Sequence, residues 1–372
     1  MILICYRKII THKQGIFAGM MKERSSRPVA IWLMVGVGMV IVQVILGGIT
    51  RLTGSGLSIT EWDVITGTLP PLNEQQWLVQ FHKYQQSPQY RLLNSEFTVG
   101  DFKFIFFWEW FHRLWGRLIG VVFAIPFIIF LVQGRFKKEM VRPLVILFFL
   151  GALQGAVGWI MVASGLTGDA IYVKPTRLAV HFVFALVLLA YTFWFTLKLI
   201  VKDKEIIRAP KQARFTWVLL GLLGVQLLFG ALMAGHKAAP AAPTWPDING
   251  SFVPAYALKQ GLVGVIENPI TIHLVHRMVA YLLTLLVIIW FISSFKIPAS
   301  SLFKRARALV LFFVLLQVTL GVFTVLASVR IRVAKWNEFE WMALLHQFVA
   351  LMLLLSLVFS RFLVRRERMA HG

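Results

Sequence analysis

Residues 109–120 read EWFHRLWGRLIG, which sets Glu109, His112, Arg113 and Arg117 within about three helical turns of a run otherwise built mainly from Phe, Trp, Leu, Ile and Gly. Whether this run crosses a membrane decides the fold. Of 372 residues, 58% are hydrophobic and only 15% charged, and the mean hydropathy is +0.74. A soluble domain carries about 25% charged residues, so the chain reads as a polytopic membrane protein. Segments long enough to cross about 30 Å of hydrocarbon as helices fall at 29–49, 104–132, 143–163, 178–201, 214–235, 269–294, 306–327 and 341–363. The short alternating segments of a membrane barrel are absent, which leaves helices to satisfy the backbone in lipid. The expected fold is all-α, with eight transmembrane helices.

The chain carries 38 Lys and Arg against 16 Asp and Glu, a net charge of +22. Such a balance would suit nucleic acid, but its distribution points elsewhere. Counting span-end residues with the nearer loop, 24 basic residues lie on the side of both termini and 11 on the other, with Arg113, Arg117 and Arg277 inside spans. Ten carboxylates lie on the second side, five on the first, and Glu109 alone in a span. The positive-inside rule then places both termini in the cytoplasm, or on the matrix side of a mitochondrion. Anionic lipid, not nucleic acid, becomes the partner of the basic loops. Cys5 is the single cysteine, which excludes an intrachain disulfide and a thiolate cluster and reads as a free thiol in a basic tail. The first 28 residues lack the h-region and cleavage site of a signal peptide, and no long Arg- and Ser-rich transit segment precedes the first span. A retained tail and a bacterial inner membrane are expected.

Internal repetition organises the spans. Each odd span carries Val or Leu followed by Gln-x-x-x-Gly, at Gln43 and Gly47, Gln154 and Gly158, Gln226 and Gly230, and Gln317 and Gly321. The offset of 183 that brings Gln43 onto Gln226 also brings Trp62, Ile65 and Gly67 onto Trp245, Ile248 and Gly250. Two pseudo-symmetric four-helix bundles are expected, 29–201 and 214–363, joined by a cytoplasmic linker at 202–213 and flanked by basic tails at 1–28 and 364–372. A glutamine one turn from a glycine suits close helix contact with interhelical hydrogen bonds, so a packing role is assigned to all four glutamines.

Each even span carries one histidine at the matching place. His112 maps on His276 at an offset of 164, and His181 on His346 at 165. All four lie in the first turns after the chain re-enters from the outer side, hence at one depth. A lone intramembrane histidine is commonly an interhelical hydrogen bonder, but four at equivalent positions point to a functional set. Neutral imidazole is a good iron ligand, and pairing His112 with His181 and His276 with His346 gives each half a bis-histidine haem clamp. Two imidazoles hold a bare ion poorly, so the iron is expected in a ring. Glu109, one turn outward of His112 on the same face, falls towards that ring's edge, or else partners Arg113 or an arginine across the bundle. Its counterpart in the second half is His273. That asymmetry argues for substrate chemistry in the first half and a fixed redox group in the second.

These residues sit in motifs that are specific when taken together and run through essentially the whole chain: GGITRLTGSGLSITEW (47–62), FFWEWFHRLWGR (106–117), LQGAVGWIMVASGL (153–166), TWPDING (244–250), IHLVHRMVAY (272–281) and the final HQ (346–347). The chain resembles the heme A synthase family, in the class without paired cysteines in its outer loops. The resemblance implies oxidation of the C8 methyl of haem O to the formyl group of haem A, by successive hydroxylations and loss of water, for cytochrome oxidase assembly. It implies a haem O site in the N-terminal half, with His112 and His181 as ligands, and a haem b site in the C-terminal half, with His276 and His346. Glu109 matches the family's ExxH glutamate and is the catalytic candidate, as proton acceptor or as electrostatic stabiliser of positive charge at the methyl carbon. Thiol-based regulation or haem delivery is not expected here, because the outer-loop cysteines of many relatives are missing.

Arg113, Arg117 and Arg277 are candidates to meet the haem propionates or to snorkel to headgroups. Trp62 and Trp245 read as interfacial-belt or loop-packing residues in preference to haem-stacking ones, His236 as structural, and His12, His82 and His371 as solvated. The partners implied are haem O, a haem O synthase as its source, membrane lipids and an electron donor, with a homo-oligomer also compatible. The main alternative is a bis-histidine membrane cytochrome for electron transfer, of the b561 or quinone-reductase kind. It favours haems at two depths and leaves Glu109 unexplained. A haem transporter or chaperone would instead carry the ring unmodified.

Overall fold

The computed structural model describes residues 26–61, 66–259, 261–330 and 336–365. In chain order its helices are α1 (Arg27–Leu52), α2 (Glu74–Gln85), α3 (Pro88–Leu93), α4 (Val99–Val132), α5 (Lys138–Ala163), α6 (Pro175–Ile200), α7 (Pro210–Gly235), α8 (Ala255–Leu258), α9 (Gly261–Glu267), α10 (Pro269–Ser293), α11 (Ser301–Ala327) and α12 (Glu338–Leu363). Among the described residues, α1, α4, α5, α6, α7, α10, α11 and α12 are long and apolar enough to cross a membrane. The chain is an all-α multi-pass membrane protein, as expected. Proline in the first turn opens α1, α6, α7 and α10, where its missing N–H costs nothing. Capping boxes at Thr98 with Asp101 and at Asn337 with Glu340 open α4 and α12. The first of these starts α4 at Val99, five residues ahead of the predicted span, so that the helix projects above its apolar stretch.

α1 packs on α4 and α6, α5 on α6, α7 on α6 and α10, and α11 on α10 and α12, while α12 also meets α1, α6 and α7. The largest core therefore draws on both halves, with Leu189, Leu219, Val287, Trp290, Phe303 and Leu357 fully buried. Pro126, inside α4, cannot donate to the carbonyl of Val122, and Trp32 of α1 takes its place, Nε1 to oxygen at 2.7 Å. On the side of the termini, strand β1 (Ile207–Arg208) pairs in parallel with β2 (Val364–Arg365), clipping the linker to the end of α12. On the opposite side, α2 and α3 set Phe81 and Tyr84 against Phe102, Ile105 and Phe106 at the head of α4. Burial pushes the Tyr84 phenol up to about 12, and its hydroxyl donates to Gln89 at 3.1 Å.

Gly235 marks a close approach of α7 to α6, since a Cβ there would stand 2.9 Å from the Cα of Pro175. The obstacle is backbone, which cannot swing aside. Gly235→Ala is expected to cost about 1–3 kcal/mol, read as a lower thermal midpoint in detergent. An unchanged midpoint would mean the two helices part freely.

Candidate functional site

Four helix pairs each hold one histidine in the same manner. Gln43 of α1 donates through Nε2 to His112 of α4, reaching ring Nε2 at 3.3 Å and the backbone carbonyl at 3.1 Å. Gln154 of α5 reaches His181 Nδ1 and the His181 carbonyl, both at 3.2 Å. Gln226 of α7 donates to His276 Nε2 at 3.3 Å, and Gln317 of α11 to His346 Nε2 at 3.2 Å. The glycine one turn further on completes each seat: a Cβ at Gly47, Gly158, Gly230 or Gly321 would stand 3.1, 2.8, 3.3 or 3.0 Å from the imidazole Cε1. Interhelical hydrogen bonds at membrane depth average only about 0.6 kcal/mol, while an unsatisfied polar group there costs several. The glutamines thus orient rings more than they stabilise the bundle. The sequence signal was the matched placement, one Gln-x-x-x-Gly per odd span and one repeat-matched histidine per even span, with His273 an additional histidine in 269–294.

His276 and His346 face each other with ring centroids 6.5 Å apart and planes at 74°. Two imidazoles bound to one metal from opposite sides, each at about 2.0–2.1 Å, bring their centroids about 6 Å apart. The spacing fits one iron. His346 Nδ1–H donates to the carbonyl of Gln317 at 3.1 Å, which fixes the tautomer with its lone pair on Nε2, where the Gln317 amide donates in this structure and a metal would have to take that amide's place. Nδ1 of His112 and His276 and Oε1 of all four glutamines are buried without a hydrogen-bond partner, a clustering of orphaned polar atoms that marks a site built for a further group. Among the described residues, no three His, Cys, Asp or Glu side chains converge to cage a bare ion. The donor set instead suits a macrocycle that brings its own four nitrogens. All four histidines and all four glutamines line one cavity of about 1230 Å³.

Glu109 lines the same cavity and is only 3% exposed. Its Oε2 accepts from Ser58 Oγ at 2.7 Å and the Ile59 N–H at 2.9 Å, and its Oε1 from Arg113 at 2.6 Å. Arg113 also donates to the carbonyls of Ile59 and Glu61, so the pair tethers the loop after α1. In the second half, His273 donates from Nε2 to the Ala238 carbonyl at 2.8 Å and accepts at Nδ1 from Arg277 at 3.3 Å. Arg277 spends its other donors on the carbonyls of Ala242, Thr244 and Asp247, at 2.8, 2.9 and 2.6 Å. Both arginines pin loops, a role that neither propionate binding nor snorkelling had named. Arg117 lies at the cavity wall below His112.

Two cavity-lining cations escaped the sequence reading. Arg51 donates through Nε to the Ala234 carbonyl at 2.8 Å, and Nη2 bonds the same oxygen. The Lys237 ammonium lies 3.7 Å from the centre of the Tyr172 ring. Lys237 has φ +49° where the first half, at the same offset of 183, has Gly54 with φ +70°. A side chain in this left-handed region costs roughly 1–2 kcal/mol, a cost the first half avoids with glycine. Partial desolvation, then the neighbouring Arg51 guanidinium, lowers the ammonium to about 8. The glycine-to-lysine exchange between repeats was legible as a signal.

Trp245 also lines the cavity and is partly exposed. His236 donates to the Ile266 carbonyl at 2.8 Å, consistent with a structural role, and His82 pairs with Gln85 on the surface. Cys5, His12, Trp62 and His371 lie outside the described residues.

Fold and site together define a multi-pass membrane protein whose four glutamine-seated histidines line one cavity. The family described as cytochrome oxidase assembly protein, COX15-CtaA, matches residues 30–358, and the chain belongs to it. It is 42% identical to the heme A synthase of Bradyrhizobium sp. (strain ORS 278) over 336 residues, covering 89% of this chain and 90% of that one. It is 44% identical to the heme A synthase of Rhodopseudomonas palustris (strain ATCC BAA-98 / CGA009) over 335 residues, 88% of this chain and 86% of the relative. The heme A synthase of Cereibacter sphaeroides (strain ATCC 17029 / ATH 2.4.9) is 39% identical over 340 residues, 86% and 87% of the two chains. No solved structure matches the chain.

Proposed function

We propose that the chain is a heme A synthase, an oxidoreductase that converts haem O to haem A. The observation that carries the reading is the single break in four matched histidine seats: a buried carboxylate, Glu109, stands one turn from His112 where the second half has His273. Relatives over most of the chain bear the same name. In this reading His112 and His181 hold the iron of haem O in the half 29–201, and His276 and His346 hold a resident haem b in the half 214–363. Haem b supplies redox equivalents when bound. Glu109, with three donors on its carboxylate, is preorganised to stabilise positive charge developing at the methyl carbon; accepting a proton would require Arg113 to shift. Arg51 and Lys237 meet propionates at the cavity wall, and Arg113, Arg117 and Arg277 add positive potential. The protein sits in a bacterial inner membrane with both termini cytoplasmic. A haem O synthase feeds it, an electron donor serves it, and a homo-oligomer is compatible with it.

Because Lys237 is lowered to about 8, its charge is present below that pH and lost above it. Haem affinity, followed by Soret absorbance, is expected to weaken as pH rises from 7 to 9, and the trend to vanish in Lys237→Met. A native affinity that is flat across that range would remove Lys237 from the site. The function itself is tested by expressing the chain beside a haem O source and separating its extracted haems by chromatography with mass detection. Haem A or its hydroxylated precursor is expected beside haem b. Haem b alone, with haem O available, would overturn the synthase and favour bis-histidine electron transfer.

A further inference from the structure

The cavity is far longer below His112 than below His276. On α4 its wall runs from His112 through Gly116 and Gly120 to Phe123 and Phe127. Phe127 is 15 residues beyond His112 in the sequence, about 22 Å at 1.5 Å per residue. On α10 the wall ends at Thr284, eight residues beyond His276, about 12 Å by the same rise. Beyond it, Val287 and Trp290 are fully buried in the core; Val287 is the counterpart of Phe123 at the offset of 164.

The difference is written in small residues and in helix spacing. Gly36, Gly120, Gly151 and Gly155 line the long arm, and a Cβ on any of them would meet nothing within 4 Å. Their counterparts, at the offsets that align the glutamines and histidines of the two halves, are Leu219, Thr284, Val314 and Val318. α10 packs along α11, whereas α4 and α5 have no comparable contact, so the arm opens between them. Its floor is the aromatic group of Trp32, Phe123 and Phe127, in which Trp32 and Phe123 lie 5.3 Å apart and Trp32 is fixed by its bond to the Val122 carbonyl.

Resting on the assignment of the His112 and His181 pair to haem O, we propose that this arm, between α1, α4 and α5, binds the isoprenoid tail that haem O carries and haem b lacks. A long apolar chain attached to a ring at His112 has one continuous dry path, and it leads to Trp32. The second half, whose wall stops after about two turns, admits a ring without a tail. Substrate selection then resides in the length of the arm as well as in the histidines, which are alike in both halves.

The test puts the second half's residues into the first. Native protein, the double variant Gly151→Val with Gly155→Val, and a control, Gly221→Val, whose site is equally open but outside the cavity, are purified and titrated with haem O and with haem b. Bound haems are then counted by chromatography. The double variant is expected to lose affinity for haem O at least tenfold while still taking up haem b at both histidine pairs; the control should match the native protein. Haem O affinity and KM unchanged in the double variant, in a preparation that converts haem O, would overturn the tail site and leave the synthase standing. Loss of co-purified phospholipid with haem O affinity intact would likewise overturn it, in favour of a lipid chain. Equal loss of both haems would assign the effect to the histidine seats and also sink the proposal. A native protein that neither binds nor converts haem O would remove the synthase reading and the tail with it.

Discussion

His276→Ala is expected to leave the protein with less than a tenth of its haem b and to cut conversion of haem O by at least about a hundredfold. The ring of His276 stands 6.5 Å from that of His346, so on the proposed ligand set its loss would remove one of the two side chains that hold the iron. Gln226 also loses its acceptor, at a place where an unpaired polar group costs several kcal/mol. Two variants separate ligation from packing. His276→Met keeps a side chain able to ligate haem iron and is expected to retain haem with a raised reduction potential. His273→Ala breaks the contacts to Ala238 and Arg277 yet spares the ligand, so haem b should remain. Pyridine haemochrome spectra and chromatographic counts check all three. Full haem b in His276→Ala would strike it from the ligand set.

The eight spans were legible because hydropathy acts over twenty residues, and their observed bounds differ from expectation mainly where caps intervene, as at Thr98. The histidine set was legible because a repeat compares each residue with a control. Hydrogen-bond direction was not. A sequence shows that Gln43 and His112 lie at matched places, but the Gln43 amide could equally have bridged two backbones. Only the packing of α1 on α4 turns it toward the imidazole. The arginines illustrate a second limit. Arg113 and Arg277 read in the sequence as cations set in an apolar run, and the loop carbonyls that satisfy them come from residues 52 to 54 and 30 to 35 positions away. No local pattern carries that information. Lys237 was missed because its meaning lies in a backbone angle, readable only by setting it against Gly54.

Glu109→Gln is expected to keep haem O bound and to lower its conversion by about a hundredfold or more, the scale of removing one preorganised electrostatic group. The amide preserves shape, and its oxygen can still accept from Ser58 and the Ile59 N–H. What changes is the charge facing the cavity and the ion pair with Arg113. Breaking a buried pair costs about 3–5 kcal/mol when the partner is left stranded, and Arg113 retains two loop carbonyls that soften this. A structural loss and a chemical one therefore predict different series. If Glu109 serves only to hold Arg113 and its loop, Arg113→Lys should reproduce the full effect together with a lower thermal midpoint. If the carboxylate acts on the substrate, Arg113→Lys and Ser58→Ala should stay within about tenfold of native turnover, because each leaves the charge in place, while Glu109→Gln falls well below both at nearly unchanged haem O content. Single-turnover conversion with haem counts on the same samples decides between them. Turnover that is indifferent to Glu109→Gln would take the chemistry away from the acid buried one turn from His112.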